Sequence, residues 1–145
     1  MKIIIASDHH GVSIKAKIIK FLKKLGYEVE DYGTNSTELV DYPEYAFKVS
    51  KSVRDGEASL GVLLCGTGIG MSIAANKVRG IRCAKIDNVN DARLSKEHNN
   101  ANVLAMSSKK RFGEIKKMLL EFLNTKTSNE ERHTRRRNAI DNYID

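Results

Sequence analysis

Tryptophan is absent, proline occurs once and cysteine twice among the 145 residues. A lone proline excludes Pro-rich linkers and argues against a loop-built sandwich. Cys65 and Cys83 form no C-x-x-C pair, so neither a disulfide framework nor a zinc site is indicated. Reduced thiols then place the protein in the cytoplasm. No apolar run approaches the ~20 residues of a membrane span, so no membrane partner is expected. The start, Met1 to Asp8, has too short an apolar core for a signal peptide and reaches an acid at once. What is present is 41% hydrophobic and 30% charged residues, the balance of one globular domain over 1–145. Lys and Arg number 25 against 18 Asp and Glu, a net charge of +7. That excess suits three kinds of anionic partner: nucleic acid, a membrane surface or a small molecule.

Short strand-like runs alternate with longer helical periodicities. Lys2–Ala6 predicts a first strand, and Ile14, Ile18, Leu22 and Leu25 give the next helix one buried stripe, closed by Gly26. Tyr27–Tyr32 predicts a second strand towards an edge. Turn residues fill 33–41, and Pro43 suits the first turn of a helix faced by Ala46, Val49 and Val53 and ended by Asp55-Gly56. Ser59–Cys65 is the most hydrophobic run and predicts the central strand. Gly66–Gly70 follows, then a helix to Val78. Ile81–Ile86 and Val103–Met106 predict strands four and five around a polar helix over Val89–Glu97. Phe112, Ile115, Leu119, Phe122 and Leu123 mark a long helix, and Ile140 and Ile144 give the polar tail from Ser128 helical spacing. Fivefold alternation predicts one α/β domain, a doubly wound five-stranded parallel sheet with helices on both faces and a C-terminal helical tail.

Ligands of such sheets bind at the carboxyl ends of the strands. Polar clusters fall there: Asp8-His9-His10-Gly11, Asp41-Tyr42-Pro43, Cys65-Gly66-Thr67-Gly68-Ile69-Gly70 and Asp87-Asn88. The three alternating glycines let successive N–H groups converge on one anionic oxygen. Amide donors around Cys65 favour a thiolate, which sets it apart from the inert buried thiol that ends many strands. Cys83 lies inside a strand and is explained by packing. Asp8-His9 either caps a turn or belongs to the site, and Tyr42 is either a packing aromatic or a site residue. His10 is given no role.

Two rivals are weaker. Gly66-Thr67-Gly68 with Asp87 some twenty residues on resembles a dinucleotide fingerprint, but its third glycine position falls on Met71. Residues 126–137 hold five Lys and Arg against two Glu, yet no aromatic interleaving supports RNA, so no nucleic-acid partner is expected. On a helix Arg132 and Arg136 share a face suited to phosphate. His98-Asn99 falls just before strand five, at the amino end of the sheet. Either His98 is a helix-terminal histidine favoured by the dipole, or it serves the site of a neighbouring subunit.

These motifs, with Met71-Ser72 through Lys77 after the glycine loop and Arg132-His133 through Arg136, resemble the type B ribose-5-phosphate isomerase family, from Lys2 to about Ile140. That family also holds galactose-6-phosphate isomerase subunits and allose-6-phosphate isomerases. The resemblance implies a Rossmann-like homodimer or dimer of dimers with active sites between subunits, no cofactor and no metal. It implies interconversion of D-ribose 5-phosphate and D-ribulose 5-phosphate through an enediolate, in the pentose phosphate pathway; a six-carbon sugar phosphate is the alternative. Cys65 matches the base that moves the proton, since the place of the glutamate used by other members holds Met71. Thr67 and the amides of Gly66, Gly68 and Gly70 match the enediolate stabilisers. His98 matches the ring-opening residue, beside Asp8 and Tyr42. Asn99 and Ser72 fall among the substrate-binding positions, and His9, Arg132 and Arg136 match phosphate binders. Lys109 stands where the family often has arginine, with Lys110 and Arg111 as alternatives.

Overall fold

The computed structural model describes all 145 residues. Five strands, β1 (Lys2–Ser7), β2 (Glu28–Asp31), β3 (Leu60–Cys65), β4 (Cys83–Lys85) and β5 (Val103–Ser107), form one all-parallel sheet ordered β2-β1-β3-β5-β4. Between and after them run α1 (Val12–Lys24), α2 (Tyr42–Arg54), α3 (Ile69–Ala75), α4 (Val89–Glu97), α5 (Phe112–Asn124) and α6 (Glu131–Asn142). No helix is long and apolar enough to cross a membrane.

The period-two alternation of strand side chains divides the core into two layers. Ile3, Ile5, Val62, Leu64, Leu104 and Met106 meet Ile18 and Leu22 of α1, Ala92 of α4 and Ile115, Leu119 and Phe122 of α5. Ile4, Ala6, Leu63, Cys65, Val103 and Ala105 meet Ala46 and Val49 of α2 and Met71, Ala74 and Ala75 of α3 on the other face. A strand covered on both faces has no use for polar alternation, which is why β3 reads as an unbroken apolar run and lies at the centre.

Some boundaries differ from expectation, for local reasons. Helix α3 ends at Ala75 and not Val78, because the next side chain, Asn76, turns to the sheet: its Nδ2 donates to Cys83 O (3.0 Å) and its Oδ1 accepts from Cys83 N–H (2.8 Å). Strand β4 contracts to three half-buried residues at the sheet edge, and Ile144 lies beyond the end of α6. The buried face of α1 runs through Lys15, Ile18 and Leu22, so a lysine takes a core position that periodicity assigns to apolar residues.

Candidate active site

The chain leaves β1 to one side and returns to place β3 on the other, so the crevice between their carboxyl ends is the switch point of the sheet. Asp8 and Cys65 emerge there side by side: Asp8 N–H donates to Leu64 O at 3.0 Å. Asp8 is 5% exposed, and its Oδ1 caps the 3-10 turn His9–Gly11 by accepting from His10 N–H at 3.0 Å. Cys65, also 5% exposed, receives the Gly68 N–H on its sulfur at 3.2 Å. Thr67 Oγ1 accepts from Ile69 N–H at 3.1 Å, and Ser72 Oγ donates to Ile69 O at 2.8 Å, inside its own helix.

Two glycines of this loop are required by shape. Gly68 has φ +79°, and a Cβ there would sit 2.8 Å from the carbonyl carbon of Met106, so left-handed strain and a backbone clash coincide. At Gly70 a Cβ would collide with the Tyr42 ring, which fixes Tyr42 against the loop. Gly26 offers a control, with φ +98° and nothing within 4 Å. Gly26→Ala should cost only the left-handed penalty of about 1–2 kcal/mol. Gly68→Ala should cost a further 1–3 kcal/mol or so for overpacking; urea unfolding of the two variants measures the gap.

The 3-10 turn brings both adjoining histidines to the crevice. His9 Nδ1 accepts from Val40 N–H at 3.3 Å, and the two rings lie 4.2 Å apart. His10, given no role by its sequence context, has its Cδ2 only 3.9 Å from the place of a Gly66 Cβ. Nothing in the pattern Asp-His-His-Gly tells the second ring to follow the first; neighbours in a 3-10 turn diverge by about 120°, against about 180° in a strand, which still lets the two rings meet.

On the other side of the loop, Ser107 Oγ donates to Gly66 O at 2.7 Å and accepts from Lys109 N–H at 3.1 Å. The strand-five exit is thereby tied to the glycine loop, and Lys109, Lys110 and Arg111 all border one cleft with Gly66 and Thr67. Lys85, ion-paired with Asp87 at 2.6 Å, closes its far wall.

The remaining expected site residues lie elsewhere. His98 is the C-cap of α4, and Asn99 follows it, exposed. Cys65 is level with Ser107, so the whole of β5, roughly 13 Å for its four steps, stands between Cys65 and this end of the sheet. His98 stacks on His133 of α6 with ring centroids 4.2 Å apart. His133 is buried, Ser128 Oγ holds its Nδ1 at 3.0 Å, and desolvation, with the repulsion of His98 and Arg132, keeps its pKa below the usual imidazole value. Arg137 donates to the carbonyls of His98 (2.9 Å) and Ser128 (3.0 Å). Arg82 donates to those of Asn99 and Asn100 and binds Asp141 through two 2.6 Å contacts. Two arginines thus clamp the 98–100 turn onto α6, whose Arg132 and Arg136 stay exposed.

A glycine loop folded around a buried thiol, with cations along the adjoining cleft, is the arrangement of an α/β enzyme for a small anionic substrate. Comparison with known proteins makes this particular. Residues 3–140 match the family model described as ribose/galactose isomerase. Ribose-5-phosphate isomerase B of Escherichia coli K12 is 45% identical over 120 residues, 83% of this chain and 80% of that protein. The galactose-6-phosphate isomerase subunit LacB of Clostridium acetobutylicum is 46% identical over 109 residues, 75% of this chain and 63% of that one. The crystal structure of ribose-5-phosphate isomerase B from Mycoplasma genitalium with bound ribulose-5-phosphate superposes with a TM-score of 0.93 at 39% identity, covering 98% of this chain and 95% of that one. The chain belongs to the ribose/galactose isomerase family and is a sugar-phosphate isomerase.

Proposed function

We propose that this chain interconverts D-ribose 5-phosphate and D-ribulose 5-phosphate through an enediolate, as a cytoplasmic enzyme of the pentose phosphate pathway that needs no cofactor. The observation that carries the reading is the Gly68 N–H donated to Cys65 Sγ, which fixes the sulfur within a glycine loop whose Gly66 and Thr67 border a cation-lined cleft. In the forward direction His98, with Asp8 and Tyr42 beside it, moves the protons that open the sugar ring. The Cys65 thiolate takes the proton from C2, and the electron pair of that bond forms the C1–C2 double bond while negative charge passes to O1. Thr67 and the amides around Gly66, Gly68 and Gly70 hold that oxygen. The Cys65 thiol returns the proton to C1, and the C2 hydroxyl becomes the ketone as its proton passes to O1, which completes the C1 hydroxyl. Preorganised donors and a positioned base are the two needs of this chemistry.

His9, Arg132 and Arg136 bind the phosphate with Lys109, while Asn99 and Ser72 bind the sugar. Lysine at 109 keeps the charge but not the two-pronged geometry of arginine. All of 1–145 serves one site, with the basic tail as phosphate ligands. Because β5 separates Cys65 from His98 within one chain, the site is assembled from two copies, Cys65 from one and His98, Asn99, Arg132 and Arg136 from the other. Exposed Ile69 and Ile73 on α3 and Ile140 on α6 offer apolar surface for that contact.

The test is a coupled assay on ribose 5-phosphate, galactose 6-phosphate and allose 6-phosphate. Turnover of the pentose at the highest kcat/KM is expected. Preference for either hexose phosphate overturns the substrate, and no turnover of any overturns the activity.

A further inference from the structure

Lys15 is the one buried cation of the core, 1% exposed on the inner face of α1. An ammonium has three N–H donors, and here each has an acceptor: Asp31 Oδ1 at 2.7 Å, Thr34 O at 2.6 Å and Asn35 Oδ1 at 3.0 Å. Burying such a group is costly unless charge and hydrogen bonds are both satisfied. Hydrophobic residues fill the rest of that face, so stability alone gives no reason for a lysine.

All three acceptors lie at the start of the loop that joins β2 to α2. Ser7 and Gly33–Thr34 exchange two backbone bonds, which lay the same turn on the end of β1. From Ser36 to Leu39 the hydrogen bonds are local, Ser36 N–H to Thr34 Oγ1 and Glu38 N–H to Ser36 Oγ, and Leu39 is 86% exposed. The loop next touches the body of the protein where Val40 N–H meets His9 Nδ1. Two residues later Tyr42 packs against Gly70. Both ends of the loop are therefore fastened to the short segment His9–Lys15, one by a buried ammonium and the other by an imidazole. That second bond also selects a tautomer. An Nδ1 that accepts leaves the proton on Nε2, so His9 presents a donor to an incoming anion.

We propose that Lys15 is a positioning residue for substrate phosphate: by fixing the Asp31–Asn35 turn it holds the loop that orients His9 through Val40. The proposal rests on the isomerase reading with His9 as a phosphate ligand, and it adds a residue that touches no substrate.

The experiment compares wild type, Lys15→Met, Asn35→Ala, His9→Ala and the double variant Lys15→Met/His9→Ala. Steady-state turnover of ribose 5-phosphate and calorimetric binding of inorganic phosphate are measured on each. Lys15→Met should raise KM about tenfold with kcat changed less than about threefold, the pattern of lost ground-state binding. The phosphate dissociation constant should rise in parallel. In the His9→Ala background the same substitution should add less than about twofold, because residues acting through one another are not additive. Asn35→Ala removes one exposed acceptor and should shift KM in the same direction by about two- to threefold. It decides the matter alone where Lys15→Met gives no cooperative thermal unfolding. An unchanged KM in a folded variant, or a full multiplicative effect without His9, overturns the positioning role. Wild type without turnover overturns the isomerase reading instead, and phosphate binding then judges Lys15 separately.

Discussion

Cys65→Ala should lower kcat on ribose 5-phosphate by about 10²–10⁴-fold, the contribution of a positioned base, with KM within about threefold of wild type. The one hydrogen bond to the sulfur comes from Gly68 N–H and none from the residues proposed to bind phosphate, so ground-state binding should survive its removal. Alanine also takes away the acceptor of the Gly68 N–H, and an orphaned buried donor costs stability of about 1–3 kcal/mol. Cys65→Ser separates the two effects. A hydroxyl still accepts from Gly68 and keeps the loop folded, but an alcohol is a poor base near neutrality. Both variants should therefore lose turnover, while only alanine loses stability in urea unfolding. Exchange of the C2 hydrogen of the substrate with solvent gives a second readout and should fall with kcat in both. Cys83 offers no rescue, because desolvation pushes its thiol up to about 12 and leaves it protonated throughout a neutral assay. Cys65→Ser with turnover within tenfold of wild type removes Cys65 as the base.

That Asp8, Cys65 and the glycine loop come together in one candidate half-site is legible in the sequence because its parts are local. Each polar cluster directly follows an apolar run, and in a parallel sheet that position fixes the end of the strand on which it sits. The same rule placed His98 at the opposite end, and the structure agrees, with α4 capped by His98 and β5 running away from it. What the sequence does not carry is pairing over distance. The insertion of β5 between β3 and β4 has no local signature, since either neighbour would bury the same Val103, Leu104 and Ala105. Nor does the stack of His98 on His133, 35 positions on, which depends on α6 folding back over the end of α4.

Lys15 shows the limit most clearly. Within Val-Ser-Ile-Lys-Ala-Lys a lysine reads as solvent-facing, and Ile14 beside it looks like the core residue. The structure rotates the stripe by one position, leaving Ile14 half-buried and Lys15 buried. The reason lies sixteen to twenty residues ahead, in acceptors that only the completed β2 turn brings together. A local rule fails here at a residue that serves the site and not the core, which is where consistency between sequence and fold is expected to lapse.

Mixing two inactive proteins should restore activity. In the proposed two-copy site, Cys65→Ala and His98→Asn would each disable one half, and each homodimer would carry the same defect twice. A mixed dimer holds one site with both lesions and one with neither. Random pairing makes half of all dimers mixed, so about a quarter of wild-type turnover should return after subunit exchange or coexpression. The gain is large because the starting level is near zero for both parents. Pairing Cys65→Ala with Arg132→Met/Arg136→Met should behave in the same way, since these arginines share α6 with His133, which stacks on His98. Pairing His98→Asn with Arg132→Met/Arg136→Met should restore nothing, because both lesions lie in the same half-site of the mixed dimer's two sites, one on each side. That contrast separates a shared site from simple stabilisation of one mutant by another. If Cys65→Ala and His98→Asn remain inactive when mass spectrometry shows mixed dimers, the two residues serve one site within a single chain or His98 has no part in the reaction, and the two-copy assembly fails.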